Sequence, residues 1–201
     1  MEHIPQFYGG GMVKTVYDDA VIYLPAPDLY EAGSPNYPGV VGMLKAMKIL
    51  KCIGFDYIKN HEQVLLRRTL DGLKKLPGII LYGDNENIAD RVGIIVFNVK
   101  NINNEIVADY LANHHAIAVR HAAFCAHPYV RRLTKVKNVD LTSCQSPEGM
   151  VRISFGIYSD EADVDAFLKA IKILLFGEHL RGQIINEMTT TLLPGKPYDR
   201  G

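Results

Sequence analysis

The chain has 201 residues, 48% of them hydrophobic, with Lys+Arg 22 against Asp+Glu 22. That length and apolar content support a buried core in one large domain or two small ones, and the zero net charge leaves no global field to recruit nucleic acid or an anionic membrane surface. No apolar run approaches the roughly 20 residues of a membrane-spanning helix, and the start MEHIPQFYGGG has neither a basic nor an apolar targeting region, so a cytoplasmic protein is expected. Residues 6–36 hold GGG, several prolines and the loop YEAGSPNYPG, with only AVIYLP reading as a short strand. So long an irregular opening suggests that it lies against something else. From Val40, apolar residues recur at helical steps through Leu44, Met47 and Leu50 to a stop at Gly54, and a second helix is predicted over 55–76, ended by Pro77-Gly78. IILYG and VGIIVFNV read as strands, EIVADYLANHH as an amphipathic helix, AIAVR and MVRISFGIY as further strands. SDEADVDAFLKAIKILL is a helix with a Ser159 or Asp160 cap and an acidic first turn. This order predicts a small α/β domain with an open, mixed sheet and helices packed on it, followed by a weakly specified tail from about Gly177.

Chemistry concentrates in AVRHAAFCAHP, residues 118–128. Arg120 and Arg152 each follow an apolar strand residue. Arginine is seldom buried without a partner, and its planar fork matches a carboxylate or phosphate. Either an anionic small molecule or a structural ion pair at the sheet's end accounts for them. Cys125 lies five residues beyond Arg120. A nearby guanidinium or a protonated His121 or His127 favours the nucleophilic thiolate, the alternative being an inert cysteine. Three cysteines, Cys52, Cys125 and Cys144, at wide spacings fit reduced thiols. His121, Cys125 and His127 match no common zinc spacing, so no metal site is expected. Gly9 to Gly11 and the Ser34 loop either cradle a phosphate or form turns.

As an ordered set, GGGMV, YEAGSPNYPGVVG, a helix pair, LYG, GIIVFNV, IAVRHAAFCAHP and VRISFGIYSDEADVDAFLKAI resemble the C-terminal half of class V aminotransferases, in particular the cysteine desulfurase and selenocysteine lyase group. The resemblance runs over residues 4–174. It implies a pyridoxal 5'-phosphate enzyme of fold type I, a homodimer with active sites at the subunit interface, with residues 1–54 a remnant of the large cofactor domain and 55–201 the C-terminal α/β small domain. By the same resemblance, Arg152 holds the substrate carboxylate, Cys125 takes the sulfur of cysteine as a persulfide, and Arg120 orders the cysteine loop or borders the substrate. Ser34 and Gly33 belong to the loop that reaches across the dimer to the cofactor phosphate, and Gly10 and Gly11 shape the neighbouring interface loop.

Two departures accompany the resemblance. The family's Ser-x-His-Lys segment, whose lysine holds the cofactor covalently, does not occur, and the family's glycine-histidine pair ahead of the cysteine is replaced by Ala122, Ala123 and Phe124. The expectation is a fragment or subunit that binds pyridoxal phosphate and turns over cysteine only together with an upstream half. The alternatives are a non-catalytic module binding an anionic metabolite or a protein partner, and a remnant that folds poorly alone.

Overall fold

The computed structural model describes residues 7–135 and 149–177. The chain divides into two compact units, Met1–Phe55 and Asp56–Gly201.

In the first unit, strands β1 (Val13–Val16) and β2 (Val21–Tyr23) form an antiparallel hairpin closed by the bond from the Tyr17 amide to the Ala20 carbonyl. A turn of 3-10 helix, Asp28–Tyr30, leads to helix α1, Tyr37–Ile53. Asn36 caps α1, its side chain accepting the Gly39 amide at 3.0 Å, and Pro38 sits in the first turn where no amide is needed. These two residues start the helix three positions ahead of its first apolar repeat. Gly54, at φ 91°, ends it as expected. No residue of α1 is buried, and Val40, Val41, Met43, Leu44, Met47 and Ile49 are all exposed.

The second unit is built on the three-stranded sheet β3 (Ile79–Tyr82), β4 (Ile94–Val99) and β5 (Val151–Ser154), in the order β3-β4-β5. Helices α2 (Phe55–Lys74), α3 (Asn104–His115) and α5 (Glu161–Phe176) supply the main core against it. On α2 the buried residues Leu66, Leu70 and Leu73 recur at helical steps. On β4, Ile95, Phe97 and Val99 alternate into the core, where Phe97 meets Phe167 of α5 edge-on at 5.8 Å. Asp160 and Asp163 cap α5 reciprocally, so the acidic first turn expected there is present.

Three differences from the sequence expectations have physical causes. First, every neighbouring strand pair described is antiparallel, although the strand directions are mixed. The chain leaves β4 through α3 and returns one strand's width away, and β5 fills the gap between, antiparallel to both. Second, the strand expected over 116–120 pairs only at Arg120. Ala116 takes a left-handed conformation and the Ile117 amide turns back to the Leu111 carbonyl, ending α3 and using the backbone that a strand needs. Third, an unexpected helix, α4 (His127–Thr134), follows Cys125, with proline in its first turn.

Candidate active site

The opposite face of the sheet carries the site. Strand alternation sends Val151 and Ile153 into the main core and therefore turns Arg152 to the other side, opposite Val96 of β4. Arg120 is its cross-strand partner: the Arg120 amide donates to the Arg152 carbonyl at 3.0 Å, and the Arg152 amide returns the bond at 2.6 Å. Two guanidinium side chains thus leave the sheet side by side. The Arg152 guanidinium lies 5.4 Å from the centre of the Phe124 ring, and its Nε is buried without a hydrogen-bond partner. The ion pairs seen among the described residues join Arg68 to Glu161 and Asp165 and Lys74 to Glu86, and none involves Arg120 or Arg152. The structural ion pair that the sequence left open is therefore absent among the described residues. The site presents positive charge and an unused donor, the chemistry of an anion receptor.

The cysteine loop runs directly from Arg120. Ala122, Phe124 and Cys125 all have positive φ, at 82°, 52° and 58°. For residues with a β-carbon that conformation is costly and persists only where surrounding contacts impose it. Cys125 itself is exposed and is a free thiol. Below the loop, Ala123, Val130 and Met150 form a small buried cluster, flanked by Tyr82, Val96 and Phe124. Beside it opens a largely apolar hollow of about 410 Å³ lined by Tyr82, Val96, Phe124, Tyr129, Leu133 and Met150. A larger groove of about 770 Å³ lies between α2 and α5, lined by Arg67, Arg68, Lys75 and Lys172, on helices that pack against the other face of the sheet.

The glycine loops form a second group, within the first unit. The Gly33 amide donates to the Gly10 carbonyl at 2.8 Å, and a β-carbon on Gly9 would stand 3.0 Å from the Gly33 nitrogen. Gly11 and Gly33 have φ of 90° and 84°, which only glycine adopts freely. Gly10, Gly11 and Gly33 are thus brought together, and Ser34 stands exposed at the edge of the group with no hydrogen bond from its hydroxyl or amide to the described residues. Among the described residues no cluster of three or more His, Cys, Asp or Glu can hold a metal, and no helix is long and apolar enough to cross a membrane. Cys144 lies outside the described residues.

Sequence reasoning missed Asn98, Asn104 and Gly149. The buried Asn104 accepts the Ala122 amide at 3.1 Å, and Asn98 donates to the Gly149 carbonyl at 3.0 Å. In a sequence, an asparagine ahead of a helix reads as a cap. Asn103 does fill that role, accepting the Glu105 amide, and so concealed its neighbour.

The chain is similar in sequence and fold to part of several known proteins. Over 171 residues the chain is 33% identical to a probable cysteine desulfurase of Pyrococcus abyssi, covering 85% of this chain and 39% of that protein. The solved apo cysteine desulfurase of Thermococcus onnurineus superposes with a TM-score of 0.71 at 31% identity, over 86% of this chain and 40% of the other. The Escherichia coli cysteine desulfurase CsdA gives 0.67 at 26% identity, over 84% and 38%. The chain thus spans about two fifths of the length of these relatives, and its fold is that of part of a fold-type-I pyridoxal phosphate enzyme. The family model for aminotransferase class V matches residues 1–167, in which the glycine loops, the two arginines and the cysteine loop all fall, and the chain belongs to that family.

Proposed function

We propose that this chain is the sulfur-accepting part of a pyridoxal-phosphate-dependent cysteine desulfurase. The rest of the fold and the cofactor lysine lie outside these 201 residues, since no lysine among them follows a histidine. The supporting observation that carries most weight is the Arg152 guanidinium, with its buried Nε unpartnered, laid on Phe124 at the foot of the Cys125 loop. A substrate α-carboxylate supplies the missing acceptor, and the fork fixes the amino acid's orientation. Arg120 borders the same position and adds positive charge.

The cofactor, when bound, supplies an electron sink for the substrate's carbon framework. The residues present fit its phosphate end, because the glycine loops leave room for close approach and Ser34 offers a hydroxyl and an amide that no described residue uses. The remaining work falls to the thiol. The Cys125 sulfur attacks the sulfur of cysteine, a sulfur–sulfur bond forms, and the substrate's carbon–sulfur bond breaks with its electron pair left on carbon. That carbon takes a proton and becomes the methyl group of alanine. The exposed apolar side chains of α1 support the need for a partner, since a helix apolar over most of its circumference is normally covered.

The test is to co-express the chain with a polypeptide containing a Ser-x-His-Lys segment, add L-cysteine, and assay alanine together with the mass of the Cys125 peptide. The expected result is alanine in step with a persulfide on Cys125, both lost in Cys125→Ser. A cofactor-loaded complex whose Cys125→Ser variant still releases sulfur at the full rate would overturn the assignment.

A further inference from the structure

The loop bearing Cys125 leaves the sheet at Ala122, and one buried side chain determines how. Arg120 and Arg152 exchange both backbone bonds of an antiparallel pair. The same register makes Ala122 and Met150 the next hydrogen-bonded pair. Half of that pair forms, the Met150 amide donating to the Ala122 carbonyl at 3.1 Å. The other half is intercepted: the Ala122 amide donates at 3.1 Å to Oδ1 of Asn104, at the start of α3.

Asn104 and Thr69 are the buried polar residues among those described. The Thr69 hydroxyl bonds the Leu65 carbonyl within its own helix, whereas Asn104 reaches a residue 18 positions away. Around it the fit is close. A β-carbon on Gly149 would fall 2.6 Å from the Asn104 Oδ1 and 2.7 Å from the Ala122 Cα, and the Gly149 carbonyl is itself held by Asn98. The Ala122 peptide is gripped at both ends where its φ turns positive, and the turn delivers Phe124 under Arg152 and Cys125 to the surface.

We propose that Asn104 is a positioning residue. By holding the Ala122 amide out of the ladder, it ends the sheet at Ala122 and sets the point from which Cys125 is presented, so that it governs the sulfur-transfer step and not carboxylate binding. The second half of this statement rests on the reading of Cys125 as sulfur acceptor; the first does not. Without the Asn104 acceptor, the Ala122 amide loses its partner, the turn at Ala122 is held from the Met150 side alone, and Cys125 is displaced.

Amide hydrogen exchange on the full chain tests the first half. In the wild type, the Ala122 amide is expected to exchange more slowly than that of Phe124. In Asn104→Ala it accelerates on the order of tenfold, the loss of one hydrogen bond, while Phe97 and Ile153 in the core keep their rates. Asn104→Asp retains an acceptor in the first turn of α3, where a carboxylate is tolerated, and restores protection. The second half is read in the cofactor-loaded complex: Asn104→Ala lowers kcat for persulfide formation on the order of 10²-fold, as a displaced reacting group does, with KM little changed, and Asn104→Asp recovers kcat.

An unprotected Ala122 amide in the wild type, or one insensitive to Asn104→Ala, overturns the proposal. So does a variant whose exchange responds while kcat and KM move together. If Asn104→Ala does not fold, wild-type exchange and the Asn104→Asp kinetics decide. A complex that forms no persulfide at all refutes the desulfurase reading and the second half, and the exchange data still judge the first.

Discussion

Replacing Arg152 with methionine should make the chain more stable. Its buried, unpartnered Nε costs about 1–3 kcal/mol, and a like-charged cross-strand neighbour, here Arg120, adds roughly 0.2–1 kcal/mol. Against these, stacking on Phe124 returns about 0.5–1 kcal/mol. Methionine has a similar reach, and its neighbours Val96, Phe124 and Met150 are apolar, so Arg152→Met should gain about 1–2 kcal/mol. Urea unfolding followed by circular dichroism reads this as a higher midpoint at unchanged slope. The complementary arm adds a small carboxylate such as acetate or L-cysteine. It should raise the wild-type midpoint, because only the native arginine binds it, and leave Arg152→Met unmoved. A lower midpoint in Arg152→Met, or a carboxylate effect equal in both proteins, would show that the guanidinium is a structural element and would refute the anion-receptor argument.

Ser34→Ala should leave the urea midpoint of the chain unchanged, since the side chain bonds to no described residue, while weakening pyridoxal phosphate retention in the two-chain complex, measured by cofactor absorbance after dialysis. Equal retention removes Ser34 from the phosphate site. Burial, with His114 and Lys169 nearby, holds the His115 imidazole below the usual histidine range. The unfolded chain therefore takes up that proton first, and stability should fall as pH drops below about 6.5 towards the depressed folded value. His115→Gln should flatten this part of the curve of urea midpoint against pH; an unchanged curve places the titration elsewhere.

The elements that the sequence foretold are those with local punctuation. Helix α1 ends at Gly54 and α5 begins at Asp160 because a single residue type at each end satisfies the orphan backbone groups. Strand β4 reads as a continuous apolar run because both faces are covered, by the main core on one side and by the cluster around Val130 on the other. Arg152 stood out as a lone charge in an apolar strand. What escaped depends on pairing between distant segments. The expected strand at 116–120 has suitable side chains, but Ile117 bonds back to Leu111 and Asn104 takes the Ala122 amide. Local preference holds no record of either bond. Helix α4 was hidden by its brevity and by a composition, HPYVRRLT, that reads as loop.

The place of β5 has a consequence for the order in which the molecule assembles. Strands β3 and β4 form a hairpin from nearby residues and can pair early. Arg120 pairs instead with a residue 32 positions further on, and the Ala122 carbonyl waits for Met150. A nascent chain that has reached Cys125 therefore holds a thiol on a segment tied to earlier residues only through the Ile117 and Ala122 amides, with neither guanidinium fixed beside it. The geometry of the site comes into being only when residues 149–152 slot between β4 and the waiting edge. The thiol is thus kept from its place beside the Arg152 guanidinium until residues 149–152 have been made, and Arg152 arrives in the same step that fixes the loop.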